Sequence, residues 1–427
     1  MESKGRTRRR ALHVGVAAAV VFASSFMLAS PVLPASAGEP AANPVVVWDL
    51  YAQKSIWDVA VQGPNVQGRS FAMVHGAIYD AVNAIAGKPY QPYLVAPRAS
   101  GTESMDAAVA ASAHRVLLWL FPAQQAALQA QYDQYLAGIP DGTSKQAGIA
   151  IGDQAAAAMI AARQNDGAFG PQTWVVGTQP GQWRPTPPSF GSDGAWTGYL
   201  KPFVIPDAAM FRTAGPPALT SSTYAKDFNE VKKVGAVNST TRTADQTDAA
   251  KWWHDRRLTE WEIKRQVATS QGLNTLQAAR MFAMVNFAAT DAVIACYYDK
   301  AYHSFWRPVT AIQLADTDAN AATVPDPTWM PVLVTPPFPE HPSGHTCYTA
   351  ATMTTLAYFF ERDNISFSAF SPASNSTRHF SSFSQALVEV INARVWGGIH
   401  FRTADLQGAR LGALVTSYMI GHYFRKT

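Results

Sequence analysis

The sequence predicts an all-α fold built from two packed helical bundles. Apolar residues recur along most of the chain at the three- and four-residue spacing of one helix face, and no stretch shows convincing strand alternation. The chain has 427 residues, of which 48% are hydrophobic, so it can bury a large core without a disulfide framework. An internal similarity between two of the predicted helices indicates that there are two bundles.

The first 37 residues are typical of an export signal. Basic residues between positions 4 and 10 precede an apolar run from Ala11 to about Leu33, and a small-residue cleavage site, Ala35-Ser36-Ala37, comes directly before Gly38. The paired arginines in the basic region also agree with export in the folded state by the twin-arginine route. A transmembrane anchor is the alternative, but the cleavage site favours a secreted or extracytoplasmic protein.

The mature chain is close to neutral. The predicted signal carries five basic residues and one acid, Glu2, so its net charge of +4 equals that of the whole chain. The basic isoelectric point therefore gives no indication of nucleic-acid or acidic-membrane binding. No later stretch reaches the ~18 uninterrupted apolar residues of a spanning helix, so we expect no membrane segment once the signal is removed.

Helical patterns cover most of the mature chain. The first covers residues 71–85, where apolar residues repeat at three and four before Gly87 and Pro89 end the helix. The other predicted helices cover about Asp106–Phe121, Ala123–Leu136, Ser144–Arg163, Ala244–Gln266, Thr275–Lys300, His345–Phe360, Phe383–Val395 and Asp405–Phe424.

Residues 73–84 and 284–295 align with seven identities in twelve positions. We interpret the similarity as two related bundles, and composition alone, in two alanine-rich helices, is the alternative. The predicted domains are the signal at 1–37, an amino-terminal scaffold bundle at 38–235 and a carboxy-terminal catalytic bundle at 236–427, the two bundles packed as one unit. Residues 165–217 are rich in Pro, Gly and aromatic residues, which predicts an ordered loop over the bundle or over the mouth of the site.

The chemistry centres on Pro342-Ser343-Gly344-His345. The proline breaks any preceding helix, Ser343 is a suitable N-cap, and a helical pattern begins at His345. The unpaired backbone N–H groups and the positive end of the helix dipole form an anion site. His345 stands beside this site as a titratable group.

Two further segments bring the residue types that a multiply charged tetrahedral oxyanion requires. Lys300 and Arg307-Pro308 lie upstream, and Arg394 and His400 lie downstream. Arginine forks bind two oxygens at once, and lysine adds a point charge. A histidine that faces the bound centre can attack phosphorus or coordinate a metal oxyanion through a ring nitrogen.

The order Lys-x6-Arg-Pro, Pro-Ser-Gly-His and Arg-x5-His resembles the signature shared by the vanadium-dependent haloperoxidases and the type 2 phosphatidic acid phosphatases. The resemblance implies two four-helix bundles with the site in the second. It implies that the oxyanion, vanadate or phosphate, is bound by Lys300, Arg307, Ser343, Gly344 and Arg394.

The resemblance also implies the catalytic roles. His400 would be the axial vanadium ligand of a haloperoxidase, or the nucleophile of a phosphatase that works through a phosphohistidine. His345 would be the acid–base residue in either case, and Lys300 would polarise the peroxide. The implied cofactor is vanadate and the implied partners are hydrogen peroxide, a halide and a small organic acceptor. A soluble exported acid phosphatase is the alternative, and the oligomeric state stays open.

Two positions depart from the family pattern. Ala393 stands where a serine is usual, and Ala404 stands where an aspartate is usual, with Asp405 one place later. Asp405 must then orient His400 from a shifted position, or another acid must do so. Ala404 is also the support for a further alternative, a catalytically silent scaffold. Upstream, Asp255 is our candidate to pair with the oxyanion-binding lysine or arginine.

The remaining candidates concern the pocket. In the family, the fungal chloride enzyme has a phenylalanine near the position of Phe338, and the bromide-selective algal enzymes have a histidine there. The chain resembles the fungal enzyme at this position, but His341 could take the place of that histidine. The halide preference therefore stays open. Pro342 and Gly344 forbid a helical zinc site between His341 and His345. Cys296 and Cys347 each lie near a motif residue, and either a disulfide or two buried thiols is possible.

Overall fold

Most of the residues in the computed structural model, which describes residues 42–255 and 261–427, are helical. Within these ranges the α-helices are α1 Pro44–Gln53, α2 Pro64–Ile85, α3 Met105–Leu120, α4 Gln125–Ala137, α5 Thr143–Arg163, α6 Ser222–Gly235, α7 Ala244–Trp252, α8 Ile263–Ser270, α9 Thr275–His303, α10 Pro308–Gln313, α11 Gly344–Phe359, α12 Phe383–Trp396 and α13 Arg402–His422. A π-helical segment, Lys54–Val59, follows α1, and short 3-10 segments cover Pro122–Gln124, Ala195–Tyr199 and Ala315–Thr317. The all-α prediction is confirmed.

A short antiparallel hairpin was not predicted from the sequence, nor were helices α1, α6 and α10. Strand β1, Phe367–Ser371, pairs with β2, Ser376–Phe380, in the register Phe367 to Phe380. The burial of β1 alternates along its five residues, but β2 is largely polar and exposed. Two five-residue strands with one weakly apolar partner give too short an alternation to detect from the sequence.

The prediction of one helix over Ala244–Gln266 is wrong. The helix α7 ends at Trp252, and α8 begins only at Ile263. Both Trp252 and Trp253 are buried, and their indole N–H groups donate to separate acceptors, the carbonyl of Ala369 and the carboxylate of Glu389. Because two adjacent side chains cannot share one face of a helix, anchoring both indoles agrees with the end of α7 at this point.

Helices α2 and α9 occupy equivalent places in two halves of the structure. Each lies at the centre of a set of three: α2 packs on α3 and α5, and α9 packs on α11 and α13. The two central helices also contact one another. These are the helices that carry the similar segments 73–84 and 284–295, so the internal similarity coincides with equivalent packing. The boundary between residues 235 and 236 stays a prediction, since the described residues from 42 onward form one compact unit.

The two halves use the same device to bring helices close together. Gly148 and Gly152 of α5 lie against the backbone of α3, and Gly408 and Gly412 of α13 lie against the backbone of α11. A Cβ atom at any of the four would overlap a backbone carbonyl oxygen or a side chain of the facing helix. In each half, a glycine pair four residues apart therefore permits the close contact.

A second shared device is a buried carboxylate on each central helix. Asp80 of α2 accepts the backbone N–H groups of Tyr93, Leu94 and Val95. Asp291 of α9, the aligned residue, accepts the backbone N–H groups of three consecutive residues, 203–205. Each aspartate thus ties an irregular segment to its bundle, after α2 for Asp80 and before α9 for Asp291, because a buried backbone donor must find an acceptor.

The segment 165–217 is ordered, as predicted. Trp174, Trp183 and Trp196 are buried, and the backbone N–H of Trp183 donates to the carbonyl of Ser304 at the end of α9. Residues Ser189 and Asp193 of this segment line a cavity of about 650 Å³. The segment therefore contributes to the wall of that cavity.

The predicted export signal, residues 1–37, lies outside the described residues. Within them, one helix is long and apolar enough to cross a membrane, α9, and 94% of its apolar window is buried inside the protein. Burial of this kind is expected of the central helix of a folded core.

Candidate active site

Helix α11 begins at the central motif. Gly344 is its first residue and Ser343 occupies the N-cap, but the serine side chain makes no capping hydrogen bond. The N-terminal N–H groups of any helix lack intrahelical acceptors, and here no side chain of the N-cap residue replaces them. The start of α11 therefore retains the donors that an anion requires.

The three motifs converge, although they are separated in the chain by up to a hundred residues. Lys300 lies near the end of α9, Arg307 precedes α10, and Arg394 lies near the end of α12. All three cations are fully buried, as are Ser343 and His400. A cluster of three buried cations is unfavourable unless anions or dipoles surround them, so the arrangement is typical of an anion site.

Lys300 holds the motif loop rather than facing the cavity. Its ammonium donates to the carbonyl oxygens of Pro339 and Glu340, each at 2.9 Å, and to that of Pro342. Three carbonyls use all three ammonium protons. Burial lowers the pKa of Lys300 to about 8. Direct oxyanion binding by this residue, implied by the family resemblance, would require it to give up one of these carbonyls.

Arg307 has one unused donor in the buried site. Its Nε donates to the carbonyl of Phe338 at 2.9 Å, and its Nη1 donates to the carbonyl of Ile399 at 2.9 Å and lies 3.2 Å from Nε2 of His400. Its Nη2 is buried and has no hydrogen-bond partner. An unsatisfied guanidinium nitrogen costs free energy in the unliganded protein, and a bound oxyanion would satisfy it. Burial lowers the pKa of Arg307 to about 10.

The contacts of His400 define its tautomer. Arginine can only donate, so Nε2, which faces Nη1 of Arg307, must be an acceptor. The proton therefore lies on Nδ1, which donates to Oε1 of Glu340 at 2.9 Å. Burial and the neighbouring cations Arg307 and Lys300 keep the pKa of His400 well below its usual value. The ring is neutral and presents the Nε2 lone pair to the anion site.

Glu340 is the acid that orients His400, a role that the sequence left to Asp405 or to another acid. Its Oε1 also accepts the backbone N–H of Phe401 at 2.9 Å, and the side chain is fully buried. Burial raises the pKa of Glu340 to about 7. Asp405 instead lies beside Ser343 and Arg394, which partly offset the rise of its pKa caused by burial. The ring nitrogens of His400 are taken by Glu340 and Arg307, so Asp405 does not orient it.

A cavity of about 650 Å³ leads to this cluster. Gly344, His345 and His400 line it, together with His254 and Asp255. The ring of His254 lies nearly parallel to that of His345, at 6° and with centroids 6.3 Å apart. The end of α7 at Trp252 thus brings two polar residues to the cavity wall.

Lys300 is not the partner of Asp255, and the pairing of Asp255 with an oxyanion-binding arginine stays a prediction. The ammonium of Lys300 is committed to three carbonyls, and Oδ2 of Asp255 accepts the hydroxyl of Ser371 at 3.3 Å. Asp255 remains a residue of the cavity wall.

Phe338 lies on the cavity wall and contacts the cations behind it. Its ring centroid is 5.3 Å from Nζ of Lys300 and 5.0 Å from Cζ of Arg307, within the range of cation–π attraction. His341 does not refill this position. Its Nε2 lies 3.1 Å from the hydroxyl of Thr213, and its ring packs edge-on against His303, in a polar cluster away from the cavity lining.

Cys296 and Cys347 are free thiols, both buried. They are neighbours, as the convergence of the motifs predicted, and Cys296 donates to the carbonyl of Pro342 at 3.6 Å. Burial raises the pKa of Cys347 well above its usual value, which keeps this thiol protonated and unreactive.

Two residues of the site were missed from the sequence. Glu340 stands in the run Pro-Glu-His-Pro-Ser-Gly-His, and its position two residues before the central motif was an available signal. No motif in the sequence indicated a role for His254. Its approach to His345 depends on the end of α7, which the helical pattern did not predict.

The sequence comparisons match a family model in the second half and one relative over most of the chain. Residues 280–426 match the family model described as the VCPO second helical-bundle domain. Vanadium chloroperoxidase from Curvularia inaequalis is 24% identical over an alignment of 379 residues, and the match covers 70% of this chain and 61% of that protein. The chain thus spans about three fifths of the length of this curated relative.

The structural comparisons cover the described fold more fully. A bacterial vanadium-dependent iodoperoxidase superposes with a TM-score of 0.78 at 24% identity, over 91% of this chain and 99% of that one. A holo-type bacterial vanadium-dependent chloroperoxidase superposes with a TM-score of 0.68 at 18% identity, over 85% and 93% of the two chains. The chain has the vanadium haloperoxidase fold, which confirms the resemblance carried by the three motifs.

Proposed function

We propose that this protein is a vanadate-dependent haloperoxidase, which oxidises a halide with hydrogen peroxide to a hypohalous species. The observation that carries the proposal is the neutral His400, whose Nε2 lone pair faces a buried cluster with an unused Arg307 donor. Such a site combines a nitrogen ligand with cationic and N–H donors. These are the groups that a tetrahedral oxyanion with a Lewis-acidic centre requires.

The residues present fit vanadate. Arg307 would donate from its unused Nη2, the uncapped start of α11 would contribute backbone N–H groups at Gly344, and Arg394 and Ser343 would complete the set. His400 would bind through Nε2 in place of its contact with Arg307. When bound, vanadate supplies a Lewis-acidic centre that activates hydrogen peroxide toward a halide.

The protein residues would have three separate tasks. Glu340 holds His400 in the tautomer that can act as a ligand. His345, at the base of the cavity, would take and return the proton during peroxide activation. Lys300 holds the carbonyls of the motif loop and adds positive charge behind the site.

The test is a paired assay on mature protein freed of phosphate. Halogenation of a phenol probe is measured with hydrogen peroxide and with chloride, bromide or iodide in turn, with and without orthovanadate, beside hydrolysis of a nitrophenyl phosphate. We expect vanadate-dependent halogenation that is lost in His400→Ala. His379→Ala, which changes an exposed histidine of β2, is the matched control and should retain activity.

Hydrolysis alone, lost in His400→Ala, would overturn the proposal and indicate an acid phosphatase that uses a phosphohistidine at the same residue. Neither activity in the wild-type protein would indicate a catalytically silent scaffold. Halogenation without vanadate would exclude the cofactor.

We also propose that the protein is exported and that its signal is removed after Ala37. The support is the basic, apolar and small-residue pattern of residues 1–37. Expression of the full chain in a bacterium and amino-terminal sequencing of the extracytoplasmic protein should give a sequence that starts at Gly38. Retention of the full chain in the membrane fraction would contradict this proposal.

A further inference from the structure

A second groove lies in the amino-terminal half, at one end of its bundle. It has a volume of about 490 Å³, and its walls include Arg69, Trp119, Gln164, Asn165, Asp166 and Phe169. We call it the aromatic groove, after its tryptophan and phenylalanine. Within the described part of the chain, it shares no lining residue with the cavity above the anion site. The chemistry proposed for the anion site therefore makes no use of this groove.

The two aromatic side chains of the groove are exposed to solvent. Trp119 is 38% exposed and Phe169 is 66% exposed. The backbone of Phe169 has a φ of +60°, in the left-handed region that a bulky residue rarely adopts. One side of its ring rests on the ring of Trp196, with centroids 5.0 Å apart. Backbone strain that holds a large apolar ring at the surface is typical of a binding site.

The turn that carries Phe169 is held in place before any ligand arrives. Oδ1 of Asp166 accepts the backbone N–H of Ala168 at 3.2 Å. Gly167 has a φ of +88°, and a Cβ atom there would lie 2.8 Å from the carbonyl oxygen of Tyr199. Glycine is required at this position, because any side chain would push the turn away from its support. The groove is thus preorganised, which lowers the entropic cost of binding.

The floor of the aromatic groove carries a charged pair with one donor to spare. Arg69, which is 4% exposed, donates from Nε to Asp166 at 2.8 Å, and from Nη2 to Asp166 and to the carbonyl of Arg163. Its third nitrogen, Nη1, makes no hydrogen bond to any residue that the structure describes. Gln164 and Asn165 are exposed on the same wall, and their amides add donors and acceptors. Groups that bind hydroxyls therefore lie beside apolar rings.

The charges around the aromatic groove balance. Helices α3 and α5 run in the same direction, since the two packed glycines of α5 face successive turns of α3, and both helices end at the groove. Each helix end carries roughly half a negative charge. Asp166 adds one negative charge, and Arg69 and Arg163, which both donate to it, add two positive charges. The sum is close to zero, so the groove has no electrostatic preference for an ion.

We propose that the aromatic groove binds a neutral oligosaccharide of β-linked hexoses. A hexose with equatorial hydroxyls has axial C–H bonds on its faces, and these pack on the electron-rich face of an aromatic ring. The hydroxyls at the edge of the sugar ring both donate and accept, so they match the two amides and Nη1 of Arg69. A β-linked chain is extended and can present successive rings to Trp119 and Phe169. The inference does not depend on the function proposed for the anion site.

The first experiment measures binding by calorimetric titration of the mature protein with cellopentaose, a neutral β-linked glucose oligomer. We expect saturable binding with a Kd below about 1 mM. Maltopentaose, which is α-linked, and pentagalacturonate, which is anionic, should each bind about tenfold more weakly. The thermal unfolding transition of the same sample shows that the protein is folded.

Variants then assign the binding to the groove. Trp119→Ala and Phe169→Ala should each weaken cellopentaose binding by about tenfold or more, because each removes an aromatic face. Trp119→Tyr keeps an aromatic face and should stay within about threefold of the wild-type protein. Tyr358→Ala removes an exposed aromatic ring of α11 outside the groove lining, and this matched control should bind like the wild-type protein.

Absence of cellopentaose binding by folded wild-type protein would overturn the inference. Undiminished binding in both alanine variants would place any saccharide site elsewhere and would also overturn it. Tighter binding of pentagalacturonate or maltopentaose would refute the neutral, β-linked class. None of these measurements uses peroxide, halide or vanadate, so their failure is distinguishable from failure of the proposed function.

Discussion

Oε1 of Glu340 lies 2.9 Å from Nδ1 of His400, and the two residues are sixty positions apart in the chain. The contact assigns the ring proton to Nδ1 and leaves Nε2 as the nitrogen that faces the anion site, next to Arg307. The family pattern usually has an aspartate four residues after this histidine, where this chain has Ala404. Here Glu340, two residues before the central motif, supplies the carboxylate that orients His400.

Replacement of Glu340 should affect vanadate binding according to whether an acceptor remains. Glu340→Leu leaves the Nδ1–H of His400 and the N–H of Phe401 without a buried acceptor, so affinity for orthovanadate should fall about 10–100-fold. Glu340→Gln keeps a carbonyl oxygen for both and should stay within about threefold of the wild-type protein. Calorimetric titration measures both variants, and equal losses in the two would contradict the role of the hydrogen bond.

Anion binding should weaken as the pH rises through 7 and 8. Burial raises the pKa of Glu340 to about 7, so a negative charge appears in the site above that pH. Burial lowers the pKa of Lys300 to about 8, so a positive charge is lost above that pH. Both changes make the site less positive, and by linkage the affinity for an anion must fall.

Sulfate is the suitable probe for this pH dependence, because its own charge is constant over the range. In calorimetric titrations at successive pH values, Glu340→Gln should remove the step near pH 7 and keep the step near pH 8. A sulfate affinity that is constant or that rises with pH would show that these two groups do not titrate as described.

Arg307→Lys should reduce sulfate affinity by at least about tenfold, although the formal charge is kept. The guanidinium reaches Phe338, Ile399 and His400 and still has Nη2 available, whereas an ammonium cannot make this set of contacts. Arg378→Lys is the matched control, since it removes a forked contact with Glu389 outside the site. Equal sulfate binding by the wild-type protein and Arg307→Lys would mean that the fork does not hold the anion.

Alanine at the packed glycines should destabilise both halves of the protein. A Cβ atom at Gly152 overlaps the carbonyl of Ala108, and one at Gly412 overlaps the carbonyl of Cys347. Each variant should lower the free energy of unfolding by roughly 1–3 kcal/mol, the usual cost of overpacking. Gly421→Ala, on the same helix as Gly412 but with no atom near the added carbon, should be neutral or stabilising by up to about 1 kcal/mol. Urea unfolding measures the free energy of unfolding of all three variants. Similar free energies in the three would contradict the close contact of α5 with α3 and of α13 with α11.

The two buried aspartates should be of similar importance. Asp80→Asn and Asp291→Asn each weaken a set of three backbone hydrogen bonds, so each should lower the free energy of unfolding by about 1–3 kcal/mol. Asp207→Asn, at an exposed aspartate that accepts one backbone N–H, should change it by less than about 0.5 kcal/mol. The free energy of unfolding is measured in urea. A large decrease in only one of the two variants would show that Asp80 and Asp291 do not contribute equally to stability.

The sequence alone determined the helical class and predicted the residues that converge at the candidate anion site. Helical spacing is a local property, and each motif needs only a few neighbouring residues to be read. The internal similarity between residues 73–84 and 284–295 also predicted the equivalent placement of α2 and α9. Phe338, which the family resemblance relates to the pocket, also lies on the cavity wall.

The tertiary structure alone decided which partner each of these residues has. The carboxylate of Glu340 reaches His400, the ammonium of Lys300 is used by the carbonyls of the motif loop, and the end of α7 at Trp252 brings His254 to the cavity. These contacts join residues far apart in the chain, and each depends on which buried donors and acceptors remain after the helices have packed. The local periodicity of the sequence does not predict these partners, because burial and hydrogen-bond partners are set by the whole fold.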